Sequence, residues 1–111
     1  MKKLFISQPM NGKTTREILE IRKKIIESAE MLLGEPVEVI DSIIQDAPAG
    51  AKPLWYLGKS IEFLSKADIA YFAPGWKNAR GCKIENQCAV EYCISTIEDY
   101  DDKIVIRERK K

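Results

Sequence analysis

The chain has 111 residues, 45% of them apolar, and 18 Lys and Arg balance 17 Asp and Glu for a net charge of +1. That length holds one domain spanning residues 1–111, and the apolar share excludes general disorder. The charge balance offers no bulk attraction for polymeric nucleic acid, and no apolar run approaches the length of a membrane span.

Lys3 to Ser7 reads as a first strand, apolar on both sides. Thr14-Thr15-Arg16-Glu17 has the S/T-x-x-E spacing of a capping box, so a helix is predicted to start there. Ile18, Ile21, Ile25, Ala29 and Leu32 then recur at helical spacing, until Gly34 stops the helix and Pro36 prevents its return. Val37 to Ile40 is a short second strand ending near Asp41. The Pro/Ala/Gly stretch at residues 46–53 is a loop of the kind that closes over a site. Leu54, Leu57, Ile61 and Leu64 mark a second amphipathic helix, and Asp68 to Ala73 a third strand, continuous enough to be central. "PGWKNARG" breaks that strand. A third helix is expected from about Gly81 to Ile97, and Lys103 to Arg107 closes the chain as a fourth strand. RERKK at the end reads as a solvated tail.

Strands alternating with helices predict an α/β fold. The expected form is a single three-layer, Rossmann-like or flavodoxin-like parallel sheet of about four strands, in the order 2-1-3-4. With no apolar leader after MKK, the expected location is the cytoplasm. Cys82, Cys88 and Cys93 lack zinc-type spacing and read as reduced thiols in a helix. The absence of histidine removes His-based triads, bases and metal ligands together.

Residues 7–14, SQPMNGKT, end like a phosphate-binding P-loop but do not begin like one. Pro9 has no N–H to offer a phosphate, and Ser7 stands where glycine's freedom is needed. No acidic residue closes the third strand to hold magnesium, since Asp68 sits at its start. No G-x-G-x-x-G occurs for a dinucleotide. The loop still follows the first strand, and in open α/β sheets ligands bind along the carboxyl edge.

The predicted topology collects residues 8–13, 41–52 and 74–80 and the start of the third helix on that edge. Gly81 lets backbone approach a ligand there, and Glu85 lies about one turn further on. A helix N-terminus favours an ionised carboxylate, which is what nucleophilic attack at a sugar carbon needs; the plainer role for Glu85 is a first-turn acid. Asp41 is well placed at a strand's end, whereas Asp68 fits a turn as well as a site. Trp76 is either a stacking surface for a flat base or a packed side chain. Arg80 can meet a phosphate or be solvated, and Met10 can wall a pocket or pack beneath its loop.

"FISQPMNG", "ADIAYFAPGW" and "GCKIENQCAVEY" together resemble the nucleoside 2-deoxyribosyltransferase superfamily, in particular its short bacterial and phage-type members with an I-S-x-P-M-x-G start and a later G-x-x-x-E. The likeness runs through nearly the whole chain in order. It implies a small parallel α/β sheet in which Glu85, four residues after Gly81, attacks the anomeric carbon of a 2′-deoxynucleoside. Ser7, Gln8, Pro9 and Met10 would line the nucleoside pocket, joined by Trp76, Arg80 and Gly81. Asp41 and Asp68, with Tyr71, are candidate donors to the leaving base, and Arg80 or Lys13 candidate holders of a 5′-phosphate. Two departures stand out. Asn78-Ala79-Arg80 replaces the acid that usually precedes the motif glycine, and Met10-Asn11 replaces an aromatic residue in the first loop.

The function implied is N-glycosyl transfer or hydrolysis on a 2′-deoxyribosyl nucleoside or nucleotide, with no metal or other cofactor. The alternative is a nucleotide-binding module of the same fold that lacks the chemistry. A small-molecule partner, no membrane or polymeric nucleic acid, and a homo-oligomer are the corresponding expectations.

Overall fold

A computed structural model describes residues 1–110. The elements follow as β1 (Lys2–Ser7), α1 (Thr15–Leu33), β2 (Val37–Val39), α2 (Pro53–Leu64), β3 (Ile69–Phe72), a single 3₁₀ turn (Trp76–Asn78), α3 (Arg80–Glu91), β4 (Ser95–Asp99) and β5 (Ile104–Arg107). They form one sheet in the order β2-β1-β3-β4-β5. The first four strands run parallel, with Leu4–Ser7 opposite Ile69–Phe72 and those opposite Ser95–Glu98.

Period-2 alternation divides each central strand between two cores. On one face Leu4, Ile6, Ile69, Tyr71, Ala73 and Ile97 meet Ile25 and Ala29 of α1. On the other, Phe5, Ala70 and Phe72 meet Leu64 of α2 and Cys82 and Ala89 of α3. Strands with both faces covered must be apolar throughout, which is why "LFI" and "IAYF" show no alternation of polarity. Burying each of these large side chains contributes about 1.5–3 kcal/mol.

The helix signals operate as their chemistry requires. The Thr14 hydroxyl accepts from the Glu17 amide at 3.1 Å, and the Glu17 carboxylate accepts from the Thr14 amide at 2.9 Å. Those bonds hold the Glu17 carboxyl below its ordinary pKa. Gly34, at φ 69°, ends α1 by donating to the Glu30 carbonyl. Pro53 opens α2, where a missing N–H costs nothing.

The end of the chain corrects the sequence expectation. The third helix stops at Glu91 instead of continuing to Ile97, and Ser95–Asp99 is a strand. The sheet therefore has five strands and is mixed. The segment expected as a fourth parallel strand is β5, antiparallel to β4 at the sheet's edge. No glycine or proline separates α3 from β4; Cys93, at φ 60°, takes the left-handed conformation itself. Asp101, at φ 71°, does the same in the hairpin turn, a conformation aspartate tolerates better than most residues. Cys93 is thus exposed beyond the helix, while Cys82 and Cys88 lie within it.

Among the described residues no helix is long and apolar enough to cross a membrane. Replacing Thr14 by Ala removes the hydroxyl that caps α1 and is expected to destabilise the fold by about 1 kcal/mol. Urea unfolding should show a lower midpoint at unchanged slope.

Candidate functional site

β1 ends between two helices that approach from the same side. Its last residue, Ser7, lies on the face that carries α2 and α3, and there its hydroxyl donates to Glu85 Oε1 at 2.6 Å. Glu85 comes from α3, one turn beyond Cys82, and both side chains point inward. The Ser60 hydroxyl of α2 stands on the same side and favours the ionised form of the Glu85 carboxylate. Four side chains from three elements thus converge at the carboxyl end of the first strand.

The electrostatics follow from burial. Glu85 is 7% exposed, and withdrawal from water raises its pKa above the ordinary 4.5, while the Ser7 and Ser60 hydroxyls pull it back by favouring the charged form. The Cys82 thiol is pushed up to about 11, by burial first and by the neighbouring Glu85 charge as well, against the opposing influence of the Ser7 hydroxyl. It is a neutral thiol at physiological pH and no nucleophile. The cluster therefore offers one ionisable oxygen acid, held by hydroxyls, beside an inert sulfur. Gly81 stands one turn before Glu85, and a Cβ there would meet nothing within 4 Å, so the space beside its backbone is open.

Gln8 faces the other way. Its amide donates to the Ile18 carbonyl at 3.2 Å, and its carbonyl oxygen accepts from Arg22 Nη1 at 3.3 Å, both on α1. Arg22 is buried and reaches Ser42 Oγ and the Ile40 carbonyl at the end of β2. Burial lowers its pKa, and the charge of Asp41 raises it again. Gln8, Pro9 and Lys13 line a groove of about 380 Å³ with Tyr71 and Asp99. That groove lies on the α1 face, and Glu85 is not among its walls.

The expected site is thus divided. Ser7, Gly81 and Glu85 share the α3 side, whereas Gln8 and Pro9 share the α1 side. Met10 is 42% exposed at the start of a tight turn, where its carbonyl accepts from the Lys13 amide at 3.1 Å and Gly12 takes φ 76°. With Lys13 closing that turn and Thr14 capping α1, the GKT triplet forms no phosphate cradle. Asp41 is exposed at the tip of β2 and accepts from the Ile43 amide. Arg80 is exposed at the first position of α3.

Three expected roles are corrected. Asp68 lies at the opposite end of β3, where its carboxylate accepts from the Lys3 amide at 2.8 Å. Four residues of strand, roughly 13 Å, separate it from the carboxyl edge. Tyr71 reaches the α1 face, bonded to Asp99 and Ser28, with the sheet between it and Glu85. Trp76 is 5% exposed and packs between Phe72 and Tyr100, with ring centroids 5.5 and 5.7 Å away, because Gly75 at φ 84° folds the chain back under α3. Its rings are core, not a surface on which a base can stack.

Ser60 and Arg22 are the residues that sequence reasoning missed. Ser60 falls three after Leu57 and four before Leu64, on the inward stripe of α2; Arg22 falls four after Ile18 and three before Ile25, on that of α1. A polar residue on an apolar stripe was the available signal in both cases. Among the described residues no group of three or more Cys, Asp or Glu is placed to hold a metal ion. Comparison of the chain with family models, with curated proteins and with solved structures gives no match.

A raised carboxyl pKa means that the neutral form stabilises the fold and the charged form does not. That contribution is present below about 4.5 and is lost as pH rises through the higher folded-state value. Glu85→Gln keeps the shape without the charge, so its melting temperature is expected to exceed the wild type's at pH 7. The gap should shrink toward pH 4 in thermal denaturation followed by circular dichroism.

Proposed function

We propose that the protein is a nucleoside or nucleotide N-glycosyl transferase or hydrolase acting on 2′-deoxyribosyl substrates, with Glu85 as nucleophile. The observation that carries this reading is the buried carboxylate that the tip of β1 holds through Ser7. A fixed, desolvated carboxylate beside an open glycine suits attack at a carbon more than it suits surface solvation.

A Glu85 oxygen attacks C1′ as the C1′–N bond breaks and its electron pair leaves with the base. The base takes its proton from solvent, since neither Asp68 nor Tyr71 shares the face of Glu85. Water or the nitrogen of a second base then attacks C1′ from the opposite side. The sugar–glutamate bond breaks, Glu85 returns as a carboxylate, and the configuration at C1′ is retained. Ser7 orients the carboxylate and favours its ionised form. Arg80, exposed at the start of α3, is the candidate holder of a 5′-phosphate. Because Glu85 is so little exposed, entry of a sugar requires the elements packed around it to draw back. Leu54, Tyr56 and Ile84, exposed on α2 and α3, are apolar surface for a second copy of the chain to cover.

A second reading, a nucleotide-binding module without chemistry, is favoured by the lack of any second carboxylate bonded to the Ser7–Glu85 cluster among the described residues. Incubation with a panel of deoxynucleosides and deoxynucleotides, with chromatography for free base, separates the two. Base release is expected, and its loss in Glu85→Ala with binding retained. Thermal stabilisation by the same compounds without base release supports the binding module instead.

Removing the Ser7 hydroxyl takes away a bond that favours the ionised carboxylate. In Ser7→Ala the acid limb of the pH–rate profile is therefore expected to move to higher pH, with turnover falling most below neutrality. An unshifted limb would separate Ser7 from the chemistry.

A further inference from the structure

We propose that the outer edge of β5 is a docking surface for an extended acidic segment of another protein, which joins the sheet as a sixth strand. β3 and β4 lie between this edge and β1, and the proposal does not rest on the glycosyl-transfer reading.

β5 ends the sheet and, among the described residues, pairs with β4 alone. The Tyr100 amide donates to the Lys103 carbonyl at 2.8 Å. In an antiparallel ladder that bond sets the alternation. Lys103, Val105 and Arg107 turn their backbone N–H and C=O groups toward β4, and Ile104 and Ile106 turn theirs outward. The edge at the far side of the sheet is blunted. β2 has only three residues, Pro36 stands directly before it, and Glu30 Oε2 takes the Val37 amide at 3.0 Å. Such devices stop a strand from recruiting another. β5 has four residues in unbroken register, with no proline, so its outward backbone groups are open to a new strand.

The side chains define what that strand must carry. Ile106 stands opposite Ile97 of the α1 core, so Ile104 and Ile106 share the α1 face, and each is 40% exposed. Lys103, Val105 and Arg107 point to the other face. Lys103 is exposed and has no carboxylate within 4 Å among the described residues. Arg107 reaches the buried Glu98 through Nε at 3.5 Å and keeps 53% of its side chain exposed. The acids nearby, Asp101, Asp102 and Glu108, lie in the turn before Lys103 and beyond Arg107, outside the stretch between the two cations. A matching strand therefore reads acid, apolar, any β-former, apolar, acid. Each acid stands opposite a cation on one face, and each apolar residue stands beside an isoleucine on the other. A second copy of β5 matches poorly, because the antiparallel register that sets Ile104 opposite Ile106 also sets Lys103 opposite Arg107 twice.

The probe is the end-blocked peptide Thr-Glu-Val-Thr-Val-Glu-Thr, titrated into ¹⁵N-labelled protein, with a control peptide in which lysine replaces both glutamates. Saturable shifts are expected to be largest at the amides of Ile104 and Ile106, with slower hydrogen exchange there. The lysine peptide should bind at least roughly fivefold more weakly, because both cross-strand charge pairs become repulsive. In Lys103→Glu the acidic peptide should weaken roughly threefold and the lysine peptide should gain. Lys103 is exposed, so that variant keeps the fold, as its spectrum will show. Any of five results overturns the proposal: no saturable shift, shifts centred away from β5, equal affinity for the two peptides, unchanged affinities in Lys103→Glu, or shifts at Ile104 and Ile106 that grow with the concentration of the protein alone, which would make a second copy the occupant.

Discussion

A strand sends successive side chains to opposite faces, and β1 ends where both faces carry chemistry. Ser7 and Gln8 are one residue apart, yet the sheet separates their side chains. One fixes a carboxylate on α3; the other is clasped by the buried Arg22 of α1. A loop that reads in sequence as a single pocket lining is therefore a partition. A slip of one residue in the pairing of β1 with β3 would exchange the two sets of contacts and place the hydroxyl against α1. The register is held by Leu4, Phe5 and Ile6, all buried, so the hydrophobic core determines where Ser7 sits.

The α3 side of that partition has the character of a site built at some cost to stability. A carboxylate out of water, bonded mainly by hydroxyls and flanked by a thiol, is poorly solvated. A buried acid of the sheet, Glu98, offers a contrast. Burial would raise the pKa of Glu98 too, but Tyr100, Thr96 and Arg107 together bring it below the ordinary value. Glu98 accepts from Thr96 at 2.8 Å and from Tyr100 at 2.6 Å, with Arg107 close by. Glu98 is a satisfied structural anion. Among the described residues Glu85 has no cation to match, and that difference is the physical basis for proposing a functional role for it.

Much of the architecture was legible in the residues. The capping box at Thr14, the stop at Gly34 and the continuous apolar strands predicted α1, β1 and β3 and placed them in the order found. The hairpin of β4 and β5 was not legible. Its first strand, STIED, has little apolar content, and the turn before it has no glycine, so a helical pattern ran on through it. The site divides in the same way. The approach of Glu85 to the carboxyl edge followed from its place about one turn into the third helix, whereas its bond to Ser7 was not legible. Trp76 looked like a loop residue because the backward turn at Gly75 is a matter of one dihedral angle. Asp68 was drawn in by residue type alone, although its place at the start of a strand already put it on the far edge. Ser60 and Arg22 escaped notice because a polar residue within an apolar stripe was read past.

The mixed sheet also bears on how the chain finds its fold. β4 and β5 are joined by a short turn and pair antiparallel, so they can zip together as soon as both exist. β1 pairs with partners 35 and 65 residues downstream of it. During synthesis one edge of β1 stays unpaired until the residues of β3 have emerged, and the hairpin follows to seal the far side of β3. The residue that grips Glu85 is thus made 78 residues ahead of its partner, and the bond between them must wait for that whole stretch.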